Sequence, residues 1–120
     1  METDLLKTGR FTKKEHIKRP VDIRNLFKNG KKISTYGAKL FYFPNSLSIN
    51  RIAFTLSRGY ENAVKRNTSK RYSREVYRSL KTHLNTGYDI LLLVYPGNDS
   101  FSTRCVQLRT LFEKAGLLKN

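Results

Sequence analysis

The sequence holds a single cysteine, Cys105, and only nine acidic residues among 120. One thiol excludes an internal disulfide and a zinc-finger ligand set, and it suits a reducing compartment, so a cytoplasmic location is expected. No apolar run reaches the length that spans a bilayer, and the opening stretch METDLLKTGR lacks the apolar core of a signal peptide. No membrane partner is therefore expected. The acids (Glu2, Asp4, Glu15, Asp22, Glu61, Glu75, Asp89, Asp99 and Glu113) are scattered, and the two histidines, His16 and His83, are far apart in sequence. A protein-borne hydrolytic centre needs acid–base histidines or carboxylates grouped around metal. Neither a catalytic residue nor a metal site is assigned, and no cofactor is expected on the protein itself. Internal repeats and linkers are also absent, so the chain reads as one domain with a core of useful size.

What is abundant is positive charge. Lys and Arg number 24, the formal net charge is +15 and the pI is near 10.3. Such a surplus repels itself in a compact chain, and a polyanion is the economical partner. Nucleic acid is the first candidate, ahead of an anionic membrane surface. Apolar residues make up 38%, which with glycine suits a folded chain rather than a disordered tail. The cations are clustered: residues 7 to 32 hold ten and residues 58 to 81 hold eight, which predicts two basic surfaces.

Residues 1–12 show little periodicity and read as a flexible arm, leaving residues 13–120 as the folded domain. A helix is predicted from Pro20, whose fixed φ suits a first helical position, to just before Gly30, with Ile23, Leu26 and Phe27 on one face. Residues 33–36 and 39–43 are rich in β-branched and aromatic residues, and Pro44-Asn45-Ser46 punctuates them. Ile52, Phe54 and Leu56 then alternate with smaller side chains, the period of a half-buried strand. A second helix is predicted from Asn62 or Arg66 to Leu84, with Gly87 as its terminator and Lys81 and His83 in its last turn. The unbroken run Ile90-Leu91-Leu92-Leu93-Val94 predicts a strand buried on both faces. After Pro96-Gly97, Asp99 or Ser100 caps a last helix whose stripe is Phe101, Cys105, Leu108, Phe112 and Ala115, ending at Gly116. Cys105 reads as a small packed hydrophobe. The order is α-β-β-β-α-β-α, an α+β class.

On the second helix Arg66, Lys70, Arg74 and Arg78 recur every four residues and share one face, flanked by Lys65, Arg71 and Lys81. Only Glu61 and Glu75 oppose them there. Like charges at this spacing repel, so a phosphate-bearing partner explains the face better than solvent alone. Helix-turn-helix architecture, zinc-finger spacing and the paired aromatics of an RNA-recognition-motif sheet are not found.

The segment Asn62-Ala63-Val64-Lys65-Arg66-Asn67-Thr68-Ser69-Lys70-Arg71-Tyr72-Ser73-Arg74-Glu75 resembles the arginine-rich signature of the bacterial ribonuclease P protein family. Residues 18–30, Phe54-Thr55-Leu56-Ser57-Arg58 and Gly87-Tyr88-Asp89-Ile90 are similar to other parts of that family, for a coverage of about residues 13 to 118. Three positions depart from the pattern: Thr68 replaces a basic residue, Ser69 an aliphatic one and Glu61 a usual glycine. The resemblance implies a single-domain sandwich with a four-stranded mixed sheet and a left-handed βαβ crossover, similar to domains of some ribosomal proteins and of elongation factor G.

It also implies a division of labour. Arg58, Lys65, Arg66, Asn67, Lys70, Arg71, Arg74 and Arg78 would contact the catalytic RNA subunit, with Asn67 serving either as a contact or as a helix cap. A cleft between the first helix and the sheet would take the single-stranded 5′ leader of precursor tRNA, through Lys13, Lys14, His16, Lys18, Ile23, Phe27, Tyr36 and Phe41, with Arg19 and Tyr42 nearby. Ile23 stands where an aromatic is frequent in the family. Ordinary core packing is the competing account of Phe27 and Phe41, and a solvated arm that of the basic residues before the helix. The expected partners are ribonuclease P RNA and precursor tRNA, one protein per RNA, with Mg2+ used by the RNA to cleave. The competing readings are a ribosomal or other structural RNA-binding protein and a self-sufficient nuclease.

Overall fold

The computed structural model describes residues 12–97 and 99–119. Apart from Thr12, the arm expected at residues 1–12 lies outside them. The elements are α1 (Pro20–Asn29), β1 (Lys31–Thr35), β2 (Ala38–Pro44), β3 (Arg51–Leu56), α2 (Ala63–Leu80), β4 (Tyr88–Val94) and α3 (Phe101–Ala115). The strand order is β1-β2-β4-β3, with β1–β2 and β2–β4 antiparallel and β3–β4 parallel. The chain thus forms an α+β sandwich on a four-stranded mixed sheet, and β3–α2–β4 is its βαβ crossover.

Strand alternation divides the sheet's side chains between two clusters. Leu40, Ile52, Ile90, Leu92 and Val94 face α2 and α3, where they meet Val76, Tyr77, Leu80, Leu108, Leu111 and Phe112. Their neighbours Phe41, Ala53 and Leu91 face the other way, onto Leu26 and Ile17, with Ile23 packed alongside. Occupying the centre of the sheet, β4 buries both sides of its apolar run, as its composition predicts.

Local signals set most element ends. Pro20 opens α1, and Gly30 closes it at a close approach: a Cβ there would lie 2.6 Å from the Leu26 carbonyl oxygen. Ser100 caps α3 by accepting from the Thr103 amide, and Gly116 ends it in the left-handed region.

Four expectations are corrected. The second α-helix stops at Leu80, and Lys81–His83 form a separate 3-10 turn. Gly87 therefore does not cap that helix; it takes a positive φ at the entry to β4. The N-cap is Asn62, whose side chain accepts from the Lys65 amide at 2.9 Å, so Asn67 lies within the helix. In α3 the buried line is Arg104, Leu108, Leu111 and Phe112, whereas Phe101 is exposed and Cys105 is half-buried.

Residues ahead of α1 extend the sheet. His16 pairs with Ile52 in a parallel bridge, and the Ile17 amide donates to the Ile52 carbonyl at 3.0 Å, against the edge of β3. One turn earlier, Thr12 donates to Glu15 through its amide and hydroxyl, and Glu15 receives Lys81 Nζ at 2.6 Å. Burial disfavours the Glu15 carboxylate, but Lys81 and the Thr12 hydrogen bonds outweigh it and hold its pKa below the usual carboxylate value.

Candidate nucleic-acid interface

The first cationic surface is the outer side of α2. Its inner side, Ser69, Ser73, Val76, Tyr77 and Leu80, is buried, which turns the remaining residues outward. Lys65, Asn67, Arg71, Arg74 and Arg78 are exposed, Arg66 and Lys70 are half-buried, and Arg58 is exposed in the loop before the helix. Two guanidinium groups rest on tyrosines: Arg66 lies 5.9 Å from the Tyr60 ring centre and Arg71 lies 5.8 Å from that of Tyr72. Glu61 and Lys65 form an exposed i,i+4 pair at 3.6 Å, too solvated to neutralise the face. Lys81 is excluded from the free cations by its bond to Glu15. The structure thus brings the arginine-rich residues together on one helix.

Behind this face lies a buried cation that charge counting assigns to solvent. Arg104 of α3 is fully buried. Its Nη1 donates to the Ser69 carbonyl at 2.8 Å and to Ser73 Oγ at 2.6 Å. Nη2 donates to Ser69 Oγ at 3.1 Å and to Asp99 Oδ1, and Nε donates to Gln107 Oε1 at 3.0 Å. Ser69, which departs from the family pattern, is therefore an acceptor for a buried guanidinium. A sequence signal exists in retrospect: Ser69 and Ser73 repeat at helical spacing on the inner side of α2, and Arg104 falls four residues before Leu108. The Glu61 departure is tolerated because the left-handed residue of this loop is Gly59, with φ +105°.

The second surface lies on the α1 side of the sheet. Phe27 and Phe41 meet edge to face at 4.8 Å between ring centres. Phe41 is buried, while Phe27 is 45% exposed and leaves ring surface open to a ligand. Ile23 packs in the same cluster. Lys32 is the strand partner of Phe41, and alternation puts Lys39 and Phe43 on the same side. Lys32, Lys39 and Phe43 were missed by pattern reading, although a step of two from Phe41 marks the latter pair. Arg51 also points this way, but Asp89 binds it at 2.8 and 2.6 Å, raising its pKa and spending its charge.

Two tyrosines expected at this cleft lie elsewhere. Tyr42 adjoins Phe41 in β2, so it faces the opposite side, packs on the main core and contacts Tyr88 edge to face. Tyr36 is in the β1–β2 turn, where its carbonyl accepts from Gln107 of α3 at 3.0 Å. Of the basic residues before α1, Lys13, Lys14, Lys18 and Arg19 are exposed and His16 is half-buried. Desolvation, Lys18 and Arg74 lower the His16 pKa against the opposing pull of Glu15. Arg74 thus acts on His16 across the two surfaces.

Among the described residues no three His, Cys, Asp or Glu side chains are grouped to hold a metal ion, and no helix is long and apolar enough to cross a membrane. An α+β sandwich with a cationic helix on one side of a mixed sheet and an aromatic, lysine-flanked face on the other defines a class of small polyanion-binding proteins.

The ribonuclease P family profile matches residues 11–116. The ribonuclease P protein component of Petrotoga mobilis is 39% identical over 83 residues, covering 69% of this chain and 70% of that protein. The same component of Dictyoglomus turgidum is 32% identical over 113 residues, covering 91% and 95%. Among solved structures, a mutant ribonuclease P protein of Staphylococcus aureus aligns with a TM-score of 0.81 at 21% identity over 98% of both chains. The Thermotoga maritima protein aligns at 0.75 with 24% identity over 83% of this chain and 96% of its own. These structures support the fold alone. The chain belongs to the ribonuclease P protein family, whose members are the protein cofactor of the ribonucleoprotein that cleaves tRNA precursors. Its partners in tRNA processing are the ribonuclease P RNA and precursor tRNA.

Proposed function

We propose that this chain binds the catalytic RNA subunit through the outer side of α2 and the 5′ leader of precursor tRNA through the α1 cleft. The observation that carries the reading is the opposition of two unlike surfaces on one sheet. Lys65, Arg66, Lys70, Arg71, Arg74 and Arg78 of α2, with Asn67 among them and Arg58 in the loop before the helix, form a dense cationic surface suited to structured RNA phosphates. Phe27 and Phe41, with Ile23 and flanking lysines, suit unpaired bases. Tyr36 and Tyr42 leave the cleft set, and Lys32, Lys39 and Phe43 join it. Lys13, Lys14, His16, Lys18 and Arg19 hold leader phosphates.

Cleavage belongs to the RNA and its Mg2+ ions, with one protein per RNA in the cytoplasm. Residues 13–120 are the working domain. The test is reconstitution with ribonuclease P RNA at low Mg2+, assaying leader removal. Stimulation that depends on both components is expected. Absence of stimulation overturns the proposal, and cleavage without added RNA replaces it with a self-sufficient nuclease.

A further inference from the structure

A groove of about 560 Å³ opens beside the first turns of α2, at the end of the molecule where the β3–α2 and β4–α3 loops converge. Its walls are Tyr60 and Glu61 from the first loop, Val64, Lys65, Thr68 and Tyr72 from the helix, and Pro96, Gly97 and Asp99 from the second loop. Val64, Thr68 and Tyr72 recur at a spacing of four, so they form one helical stripe. The volume lies within the roughly 300–1,000 Å³ range of small-ligand sites.

The lining combines two aromatic rings, an exposed valine and a proline with two carboxylates. Asp99 places Oδ1 against the buried Arg104, and Glu61 pairs with Lys65 at the rim. The Asp99 carboxylate in the groove wall repels a phosphate but accepts N–H donors, whereas Arg66 and Arg71, held against Tyr60 and Tyr72, attract phosphates just outside it. Aromatic surface suited to a base therefore lies beside cations suited to its backbone. Thr68, which takes the place of a basic residue in the family signature, contributes to this wall; a long cation there would compete for the space.

We propose that this groove receives one unpaired nucleobase of the ribonuclease P RNA, stacked on the tyrosines with its amino edge toward Asp99. The inference rests on the assignment of α2 to the RNA subunit and adds a base-reading site to a phosphate-binding helix. A base with an exocyclic amino group fits the carboxylate better than uracil, which has none.

Two measurements test it. In the first, guanosine 5′-monophosphate, uridine 5′-monophosphate and inorganic phosphate are titrated separately into the folded chain and followed by NMR. Guanosine 5′-monophosphate is expected to shift Val64, Thr68, Tyr72 and Gly97, with uridine 5′-monophosphate weaker; phosphate should move only the Lys65, Arg66 and Arg71 region. Equal responses to all three overturn base recognition. In the second, Tyr72→Leu and Arg71→Ala are compared for binding to ribonuclease P RNA across salt concentrations. Tyr72→Leu should cost about tenfold in affinity, the scale of one lost stacking contact, without changing the salt slope. Arg71→Ala should lower the slope by about one. If Arg71→Ala weakens binding while Tyr72→Leu at unchanged thermal midpoint does not, the groove fails and the helix assignment stands. If neither weakens binding, the helix assignment fails with it.

Discussion

Arg104 shows how far a single residue's role depends on what faces it. As one of 24 cations it adds to a net charge of +15, yet it is fully buried and bonded to Ser69, Ser73, Asp99 and Gln107. Arg104→Met should destabilise the fold by about 3–5 kcal/mol, because it leaves buried acceptors on α2 without donors. Adding Ser69→Val and Ser73→Ala to Arg104→Met should recover part of that loss, since it removes the two buried hydroxyls, while the partly exposed Asp99 keeps access to water. Urea unfolding of the single and triple variants checks this, and a triple variant less stable than the single would refute it. Phe27 offers a cleaner functional test than Phe41, whose burial makes truncation costly to the core. Phe27→Ala should weaken binding of leader-bearing tRNA by about 1–3 kcal/mol, the scale of one base–aromatic stack, and leave leaderless tRNA unchanged in the same filter-binding assay.

At the scale of elements, the N-terminal segment is fastened to the end of α2 by the Glu15–Lys81 bond, with both side chains mostly buried. The Glu15 pKa is lowered in the folded state, so its contribution is complete above its ordinary value of 4.5 and is lost as pH falls through the lower folded value. Glu15→Gln should therefore cost about 1–3 kcal/mol at pH 7 and progressively less in acid, read by urea unfolding at both ends of that range. An equal cost at pH 7 and pH 3 would show that the charge is not what holds the segment. None of this fastening was legible in the sequence, because it joins residues separated by 66 positions. The elements that were legible carry local signals: Pro20 and Gly30 around α1, the apolar run of β4, and Ser100 and Gly116 around α3. The end of α2 was not, since Lys81–His83 continue a helical composition while their backbone tightens into a 3-10 turn. The basic face of the site was readable from its spacing of four. The placement of Tyr36 and Tyr42 was not, because membership of a cleft depends on strand register and on where a turn begins.

For the molecule as a whole, clustering of the cations into two sequence segments predicts two basic surfaces, and the fold sets α1 and α2 on opposite sides of one sheet. The surfaces are nevertheless joined. Residues 16 and 17 run along the edge of β3, and the His16 pKa is lowered by desolvation, by Lys18 and by Arg74. Arg74 belongs to α2 and Lys18 to the segment leading to α1, so cations of both elements act on the half-buried His16. A polyanion bound on either side therefore lowers the positive potential that draws one to the other side. Arg74→Ala should therefore reduce the salt dependence of binding both to the RNA subunit and to leader-bearing tRNA. Arg66→Ala, at the far end of the helix, should affect the RNA subunit alone. Isotherms for both ligands between low and physiological salt separate these cases. Loss confined to the RNA subunit in the Arg74 variant would mean that the two surfaces act independently, and that the seam at His16 holds the fold without coupling its ligands.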